Sequence, residues 1–507
     1  MRRAQAIPLI ALAVFFAFPV VTMLVSFVRP NDIASTLTNI SLARLWWFTA
    51  WQAALSTVLT VAVALPITWA VSRHSFRFSK TLIGLITVPF FMPAVVIATG
   101  VKAVLPTAPV AGILWAHVVF NVAVVLRIVG PRWSLQDPTL EDTAADLGAT
   151  PLRTFRFIVL PYIAPALKNA AAVVFLFCFS SFGVIAILGG IKRRTIEAEI
   201  FTQAVNLGDT RTAVSLSVIQ AVVILIVFTL GTRQSRVTNT SSTTDTTTND
   251  IATTLRTPTH RQQRRIFAAV ALPILIVVTP LFAVILRSLR LDGHFTLDGY
   301  RWLFNGTTEA VGINIASTLL TSTTFAVTCA VLTTTAALVI ASAKNTTSLI
   351  SALTALPLMV SAVTLGLGLI VTFDQSPFEW RAERWLIPVI HCVIALPLAV
   401  RTLDPAVRAI PESLTQASAS LGAGPWRTWR RIELPLLTPA LVRSAGLSAA
   451  ISLGEFGATS FLTRSNSTTV PIAISQLLGH PGAQLSQAAF ALAALCVFLF
   501  TAALRLA

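Results

Sequence analysis

The residues of this chain best suited to a specific task come in pairs. One segment, Asp142-Thr143-Ala144-Ala145-Asp146-Leu147-Gly148, runs on to Ile158-Val159-Leu160-Pro161. A second, Gln416-Ala417-Ser418-Ala419-Ser420-Leu421-Gly422, runs on to Ile432-Glu433-Leu434-Pro435. In both, Gly is followed after nine residues by Ile, and Leu-Pro closes the segment; Pro151, Arg153, Thr154 and Arg156 return as Pro425, Arg427, Thr428 and Arg430. Gly148 suits a left-handed turn that ends a short helix, and Pro151 suits the first turn of the next, where its missing N–H costs nothing. The expected element is a compact helical elbow whose arginines place it on the cytoplasmic side, with Pro161 as first-turn proline of the following helix.

Other candidates are fewer. Glu455 lies in an apolar run, where an ionisable group costs at least a few kcal/mol unless it faces a cavity or a partner. A pore-facing role and interior pairing both answer that cost. Phe182 and Phe456 could form an aromatic gate or a stacking surface for a cationic ring, although such aligned residues ordinarily pack helices. His117 and His391 occupy equivalent positions and suit helix-to-helix hydrogen bonds, no carboxylate partner being evident nearby. The chain contains no G-x-x-x-x-G-K-[ST] phosphate loop, no Ser-His-Asp constellation and no paired-His metal motif. It reads as a non-enzyme that binds no cofactor and draws its energy from a partner.

The elements that must position these residues are membrane spans. Of 507 residues 55% are hydrophobic and 11% charged, against about 25% charged in soluble proteins. Apolar runs of about 20 residues recur, each able to cross a hydrocarbon core about 30 Å thick. The net charge of +17 sits in short loops between them, which reads as an orientation signal rather than a nucleic-acid surface. Six spans are expected in the first half, near 7–28, 49–72, 82–104, 110–130, 160–190 and 213–232. Six more are expected near 266–288, 312–342, 349–373, 385–403, 436–463 and 485–505.

The two halves repeat. His117 and His391, Arg127 and Arg401, Gly148 and Gly422, and Pro161 and Pro435 are each 274 residues apart, and Phe182-Gly183 meets Phe456-Gly457 at the same offset. Nearer the start the offset is 261, pairing Pro19 with Pro280 and Ser56-Thr57 with Ser317-Thr318. An even number of spans per unit makes the repeats parallel, related by an axis along the membrane normal. The expected organisation is a first six-span domain over 1–232, a flexible cytoplasmic linker over 233–265 and a second six-span domain over 266–507. The linker is rich in Thr, Ser and Asn and offers no apolar periodicity. Met1-Arg2-Arg3 before the first apolar run fits a retained span entering from the cytoplasm, so both termini are expected there. Cys178, Cys329, Cys392 and Cys496 all fall in apolar runs and read as core thiols.

On these residues the chain resembles the permeases of bacterial ABC importers, whose loop motif has the pattern EAA, three residues, G, nine residues, I, one residue, LP. Phe295 to Phe304 also looks like that family's external loop after the first span. The resemblance implies an all-α membrane fold of two MetI-like repeats, about 12 helices, in the cytoplasmic membrane of a bacterium. It implies two copies of an ABC ATPase subunit carrying ATP and Mg, and an extracytoplasmic solute-binding protein. Asp142, Ala145, Leu147, Gly148, Leu160 and Pro161, with Gln416, Leu421, Gly422, Leu434 and Pro435, would then couple to the ATPase. The motif's Glu-Ala-Ala is Asp142-Thr143-Ala144 in one half and Gln416-Ala417-Ser418 in the other, so the second copy lacks the carboxylate, for which Glu412 one turn earlier could partly substitute.

Fused double permeases of this length resemble thiamine-type and ferric-iron-type importers. Cys178-Phe179-Ser180-Ser181-Phe182-Gly183, with Leu188-Gly189-Gly190 and Thr195-Ile196-Glu197, looks like the thiamine permease's fifth span and external loop. Ser452-Leu453-Gly454-Glu455-Phe456-Gly457 is similar to its counterpart. Inward transport of thiamine or a phosphorylated derivative is therefore the leading expectation, ferric iron the alternative, and Ser181, Phe182, Glu455 and Phe456 the candidate path. A reading of another class, an ion-coupled secondary transporter, predicts coupling carboxylates within the spans. The chain offers little beyond Glu455.

Overall fold

A computed structural model describes residues 2–190, 193–238, 259–291, 293–342, 348–374, 378–380, 383–464 and 466–506. Among the described residues the chain is all-α apart from one two-stranded pair, in which Arg290 faces Phe295 and Leu291 faces His294. Among them, ten helices are long and apolar enough to span a membrane, and two further bent pairs bring the number to twelve. All twelve expected spans are present.

Where the structure departs from the expected boundaries, the backbone supplies the reason. The third span of each half is broken: Ser79–Phe91 turns by 102° into Ala94–Val104, and Ala352–Met359 by 99° into Ala362–Phe373. In the first half Pro93 cannot donate a hydrogen bond and forces Met92 into an extended conformation (ψ 151°). In the second, Val360 is extended (ψ 135°) and the Ser361 hydroxyl accepts from the Thr364 N–H at 3.1 Å, starting a new helix.

The fifth spans also stop early. Expected over 160–190 and 436–463, the helices end at Phe179 and Gly454, and short helices Gly183–Leu188 and Gly457–Leu462 follow after a break. At their other end they start earlier, running without interruption from Pro151 and Pro425. Pro161 and Pro435 are therefore not first-turn prolines. Each sits in a continuous helix just after a π-helical turn, Phe155–Val159 or Trp429–Glu433, whose wider loop absorbs the hydrogen bond a proline cannot make.

The expected linker is shorter than 233–265. One helix, Thr210–Thr238, continues past the sixth span, and another, His260–Ser288, begins at Thr259, whose hydroxyl accepts from the Gln262 N–H while Gln262 Oε1 accepts from the Thr259 N–H at 2.9 Å. The Thr-rich stretch 239–258 lies outside the described residues.

The halves interlock in the symmetric way parallel repeats require. Pro280, in the first span of the second half, packs on Gly100 in the third span of the first half, and Pro19 packs on Gly368 in the mirrored contact. A Cβ on Gly100 would lie 2.2 Å from the Pro280 carbonyl oxygen, so only glycine fits there. Trp115 adds a bond from its indole N–H to the Ile276 carbonyl at 2.8 Å. The segment after the seventh span forms the short strand pair and a helix, Asp298–Phe304, tied down by Tyr300 Oη and Ser288 Oγ at 2.8 Å.

Candidate functional site

Two regions carry the expected functional residues, at opposite ends of the fifth spans. The first is the pair of elbows. Helix Thr139–Asp146 ends at Gly148 with φ +80°, and helix Glu412–Ser420 ends at Gly422 with φ +76°. Both ends close in the same manner: the Ala149 N–H reaches the Ala144 carbonyl at 2.9 Å and the Ala423 N–H reaches the Ser418 carbonyl at 3.1 Å, with the glycine N–H bonded three residues back. This closure needs a left-handed residue at the glycine.

One face of each short helix packs inward through the aligned small residues Ala144 and Ser418. The remainder points outward. Asp142, Ala145, Gly148, Glu412, Gln416 and Gly422 are exposed, while Leu160 and Leu434 are half-buried beside exposed Pro161 and Pro435. Leu147 is 84% and Leu421 88% exposed, the two most exposed large apolar side chains among the described residues. Leu152 and Trp426 extend the same surfaces. Exposed apolar residues clustered on a polar loop mark a contact surface, and here it is duplicated.

The elbows are anchored differently. In the first half Arg73, at the end of the second span, is buried; it donates to the Gln136 carbonyl at 2.7 Å and pairs with Glu141 on the short helix. In the second half Ser418 and Thr428 hydroxyls bond across the elbow at 2.7 Å. The Arg73–Glu141 pair was not foreseen, although an arginine closing the second span and a glutamate in the loop after the fourth were its visible signs. Asp137 also shapes the first loop, its carboxylate held below the ordinary range by the Thr139 backbone N–H and hydroxyl.

The second region lies about 43 Å further along, the length of the 29-residue helix Pro151–Phe179. There a cavity of about 490 Å³ sits between the halves, beyond the breaks in the fifth spans. Phe182 and Phe456, one from each half, stack on each other with ring centroids 5.3 Å apart and planes 23° apart. Phe201 packs against Phe182 at 5.3 Å and edge-on against Phe461 at 5.2 Å. The rest of the lining mixes the hydroxyl and amide side chains of Thr202, Asn206, Ser460, Thr463, Ser475 and Gln476 with apolar Ile185, Ala198 and Ile472. Arg194 is its one ionisable side chain among the described residues, and it pairs with Glu199 at 3.2 Å.

Of the four candidate path residues, the structure brings Phe182 and Phe456 together in the cavity floor and leaves Ser181 and Glu455 out of its lining. The pairing of the two rings across the halves goes beyond ordinary packing within either one. Glu455 takes the interior-pairing alternative: it sits at the break rather than inside a helix and caps the helix after it, accepting from the Ala458 and Thr459 N–H groups at 2.9 Å each. His117 and His391 do bond between helices, to Ser56 at 3.0 Å and Ser452 at 2.8 Å. The expectation that neither faces a carboxylate fails for His391, whose Nε2 lies 3.5 Å from Glu455. A helix break turns the acid back toward the histidine, and hydropathy does not register it. Phe201 and Arg194 were also missed; the nearby Thr195-Ile196-Glu197 run was the only hint.

Comparison with known proteins gives a consistent picture. A family model described as binding-protein-dependent transport system inner membrane component matches residues 343–507. The thiamine transport system permease protein ThiP of Salmonella typhimurium is 25% identical over 482 residues, covering 90% of this chain and 87% of that protein. ThiP of Brucella abortus is 25% identical over 465 residues, 85% of this chain and 81% of its own length. A protein of Salmonella paratyphi A named provisionally as a 2-aminoethylphosphonate transport system permease, PhnV, is 34% identical over 122 residues, 24% of this chain and 46% of that protein.

Proposed function

The chain is an ABC-importer permease of the binding-protein-dependent type in fused, two-unit form, and from that premise we propose that it moves thiamine or a phosphorylated derivative inward across a bacterial cytoplasmic membrane. The observation that carries the solute is likeness along almost the whole length to permeases named for thiamine transport. The cavity supports it: three phenylalanine rings and an amide- and hydroxyl-rich wall suit a flat heteroaromatic solute. They suit a bare ferric ion, which favours carboxylate and phenolate oxygens, much less well.

In this reading the stacked pair Phe182–Phe456 is the gate at the floor of an outward vestibule, which a solute-binding protein fills. The duplicated apolar surfaces around Leu147 and Leu421 dock two copies of an ATPase subunit on the cytoplasmic side, where both termini also lie. Asp142 adds a carboxylate to the first docking surface and Glu412 to the second. Nucleotide can drive transport only by favouring one arrangement of the spans through contacts that differ between states. The continuous helices from Pro151 to Phe179 and from Pro425 to Gly454 join each elbow directly to the gate region, giving a rigid path for that bias.

The test is uptake of radiolabelled thiamine at nanomolar concentration in cells lacking the chain, in cells with it restored, and with Asp142 and Gly148 both replaced by alanine and valine. Restored uptake that the double variant abolishes is expected. Restoration without any thiamine uptake, in cells where the chain reaches the membrane, discards thiamine.

A further inference from the structure

The two halves of the gate are built unequally, although the fold repeats. In the second half the break between the fifth span and its short helix is stapled. The Glu455 carboxylate accepts from the Ala458 and Thr459 N–H groups and from the Thr459 hydroxyl, which leaves a buried acid satisfied. His391, reaching in from the fourth span, holds both sides of the break: Nδ1 meets Ser452 Oγ at 2.8 Å in the last turn before it, and Nε2 meets Thr459 Oγ1 at 2.9 Å in the first turn after it. Phe456 lies between these points, so moving its ring relative to either helix breaks part of the network.

At the 274-residue offset, Ser452, Glu455 and Thr459 are replaced by Cys178, Ser181 and Ile185. None of these can repeat the staple. His117 bonds Ser56 in the second span, and its buried Nε2 has no hydrogen-bond partner among the described residues. Gln52 and Asn121 tie Cys178 before the break, at its carbonyl (3.0 Å) and its sulfur (3.6 Å), and the Thr195 hydroxyl reaches the Ser181 carbonyl at 3.5 Å, but among the described residues no side chain holds both sides of the break and helix Gly183–Leu188 starts without a side-chain cap. The Phe182 ring itself packs against Phe456 and Phe201, contacts that can slide.

We infer that the gate is one-sided: Glu455 and His391 are positioning residues that fix the Phe456 wall, and the first-half segment carrying Phe182 is the leaf that moves. The word gate rests on the importer reading above; the difference in local stability does not.

Hydrogen–deuterium exchange on the full permease–ATPase complex in lipid nanodiscs tests this. In the wild type, amides of 457–462 should exchange at least about tenfold more slowly than those of 183–188, and nucleotide should speed exchange only in 183–188. Glu455→Ala should erase the difference, and Glu455→Gln, which keeps one carbonyl oxygen, should restore part of it. Solute moved per ATP hydrolysed should fall in Glu455→Ala at an unchanged yield of complex, whereas a merely structural role would lower the yield and leave the ratio alone. If Glu455→Ala does not assemble, Thr459→Val, which removes one arm, is read by the same exchange. Equal exchange of the two wild-type segments, faster exchange of 457–462, or no response of 457–462 to these substitutions overturns the inference. A wild-type complex that hydrolyses ATP but moves no solute would refute the importer reading instead, and the exchange comparison would still decide this one.

Discussion

Replacing Leu147 and Leu421 with alanine tests the docking surfaces most sharply. Each side chain is more than four-fifths exposed, so truncation removes almost nothing from the permease's own packing. Burying a leucine in a partner's cleft contributes about 1.5–3 kcal/mol, of which alanine retains a small part. Each substitution should then weaken the ATPase by about 2 kcal/mol, roughly 30-fold in Kd at about 1.4 kcal/mol per decade. The two residues dock different ATPase copies, so in the double variant each site should weaken about 30-fold, about 4 kcal/mol summed over the two bound subunits. The assay is equilibrium binding of the purified ATPase subunit to the permease in nanodiscs, with thermal unfolding of the permease alone as a control. Double-variant binding within twofold of wild type, with unfolding unchanged, would refute the assignment of these surfaces.

Three further outcomes follow from the geometry. Gly148→Val puts a β-branched residue at φ +80° in open space, costing about 1–2 kcal/mol of backbone strain, so ATP-driven uptake should fall while membrane insertion, followed by immunoblot, is kept. Gly100→Ala must displace the Pro280 backbone, whereas Gly368→Ala meets Pro19 only at 3.4 Å; the first should lower the melting temperature of the purified chain clearly and the second hardly at all. A double-mutant cycle on Arg73 and Glu141, read by thermal unfolding, should give a coupling of about 2–3 kcal/mol, because removing either partner strands a largely buried charge.

Much of this architecture is legible in the sequence because it depends on long, periodic features. Twelve apolar runs, a 274-residue repeat and the Gly148 and Gly422 turns each follow from residue type and spacing alone. The breaks were harder to see. Hydropathy stays high across Ser180–Phe182 and across Glu455–Phe456, so each fifth span reads as one long helix, and only the backbone shows where hydrogen bonding stops. Pro93 marks one third-span bend, but its counterpart at Val360 and Ser361 has no proline at the turn and depends on a serine cap. Glu455 looked like a pore residue because composition reports that an acid is buried, not which groups satisfy it. Phe201 reaches the cavity from the short helix Ile196–Phe201 and Arg194 from the loop just before it, a placement set by tertiary packing rather than by any local pattern.

The central claim is that this chain, driven through its elbows, imports thiamine. The most direct measurement is accumulation of radiolabelled thiamine in proteoliposomes containing the purified chain and its ATPase, with the solute-binding protein added on the vestibule side. Accumulation that requires both ATP and the binding protein, and that the Leu147→Ala, Leu421→Ala double variant abolishes, is the predicted result. ATP hydrolysis stimulated by the loaded binding protein without any thiamine accumulation, or accumulation indifferent to the double variant, would contradict it.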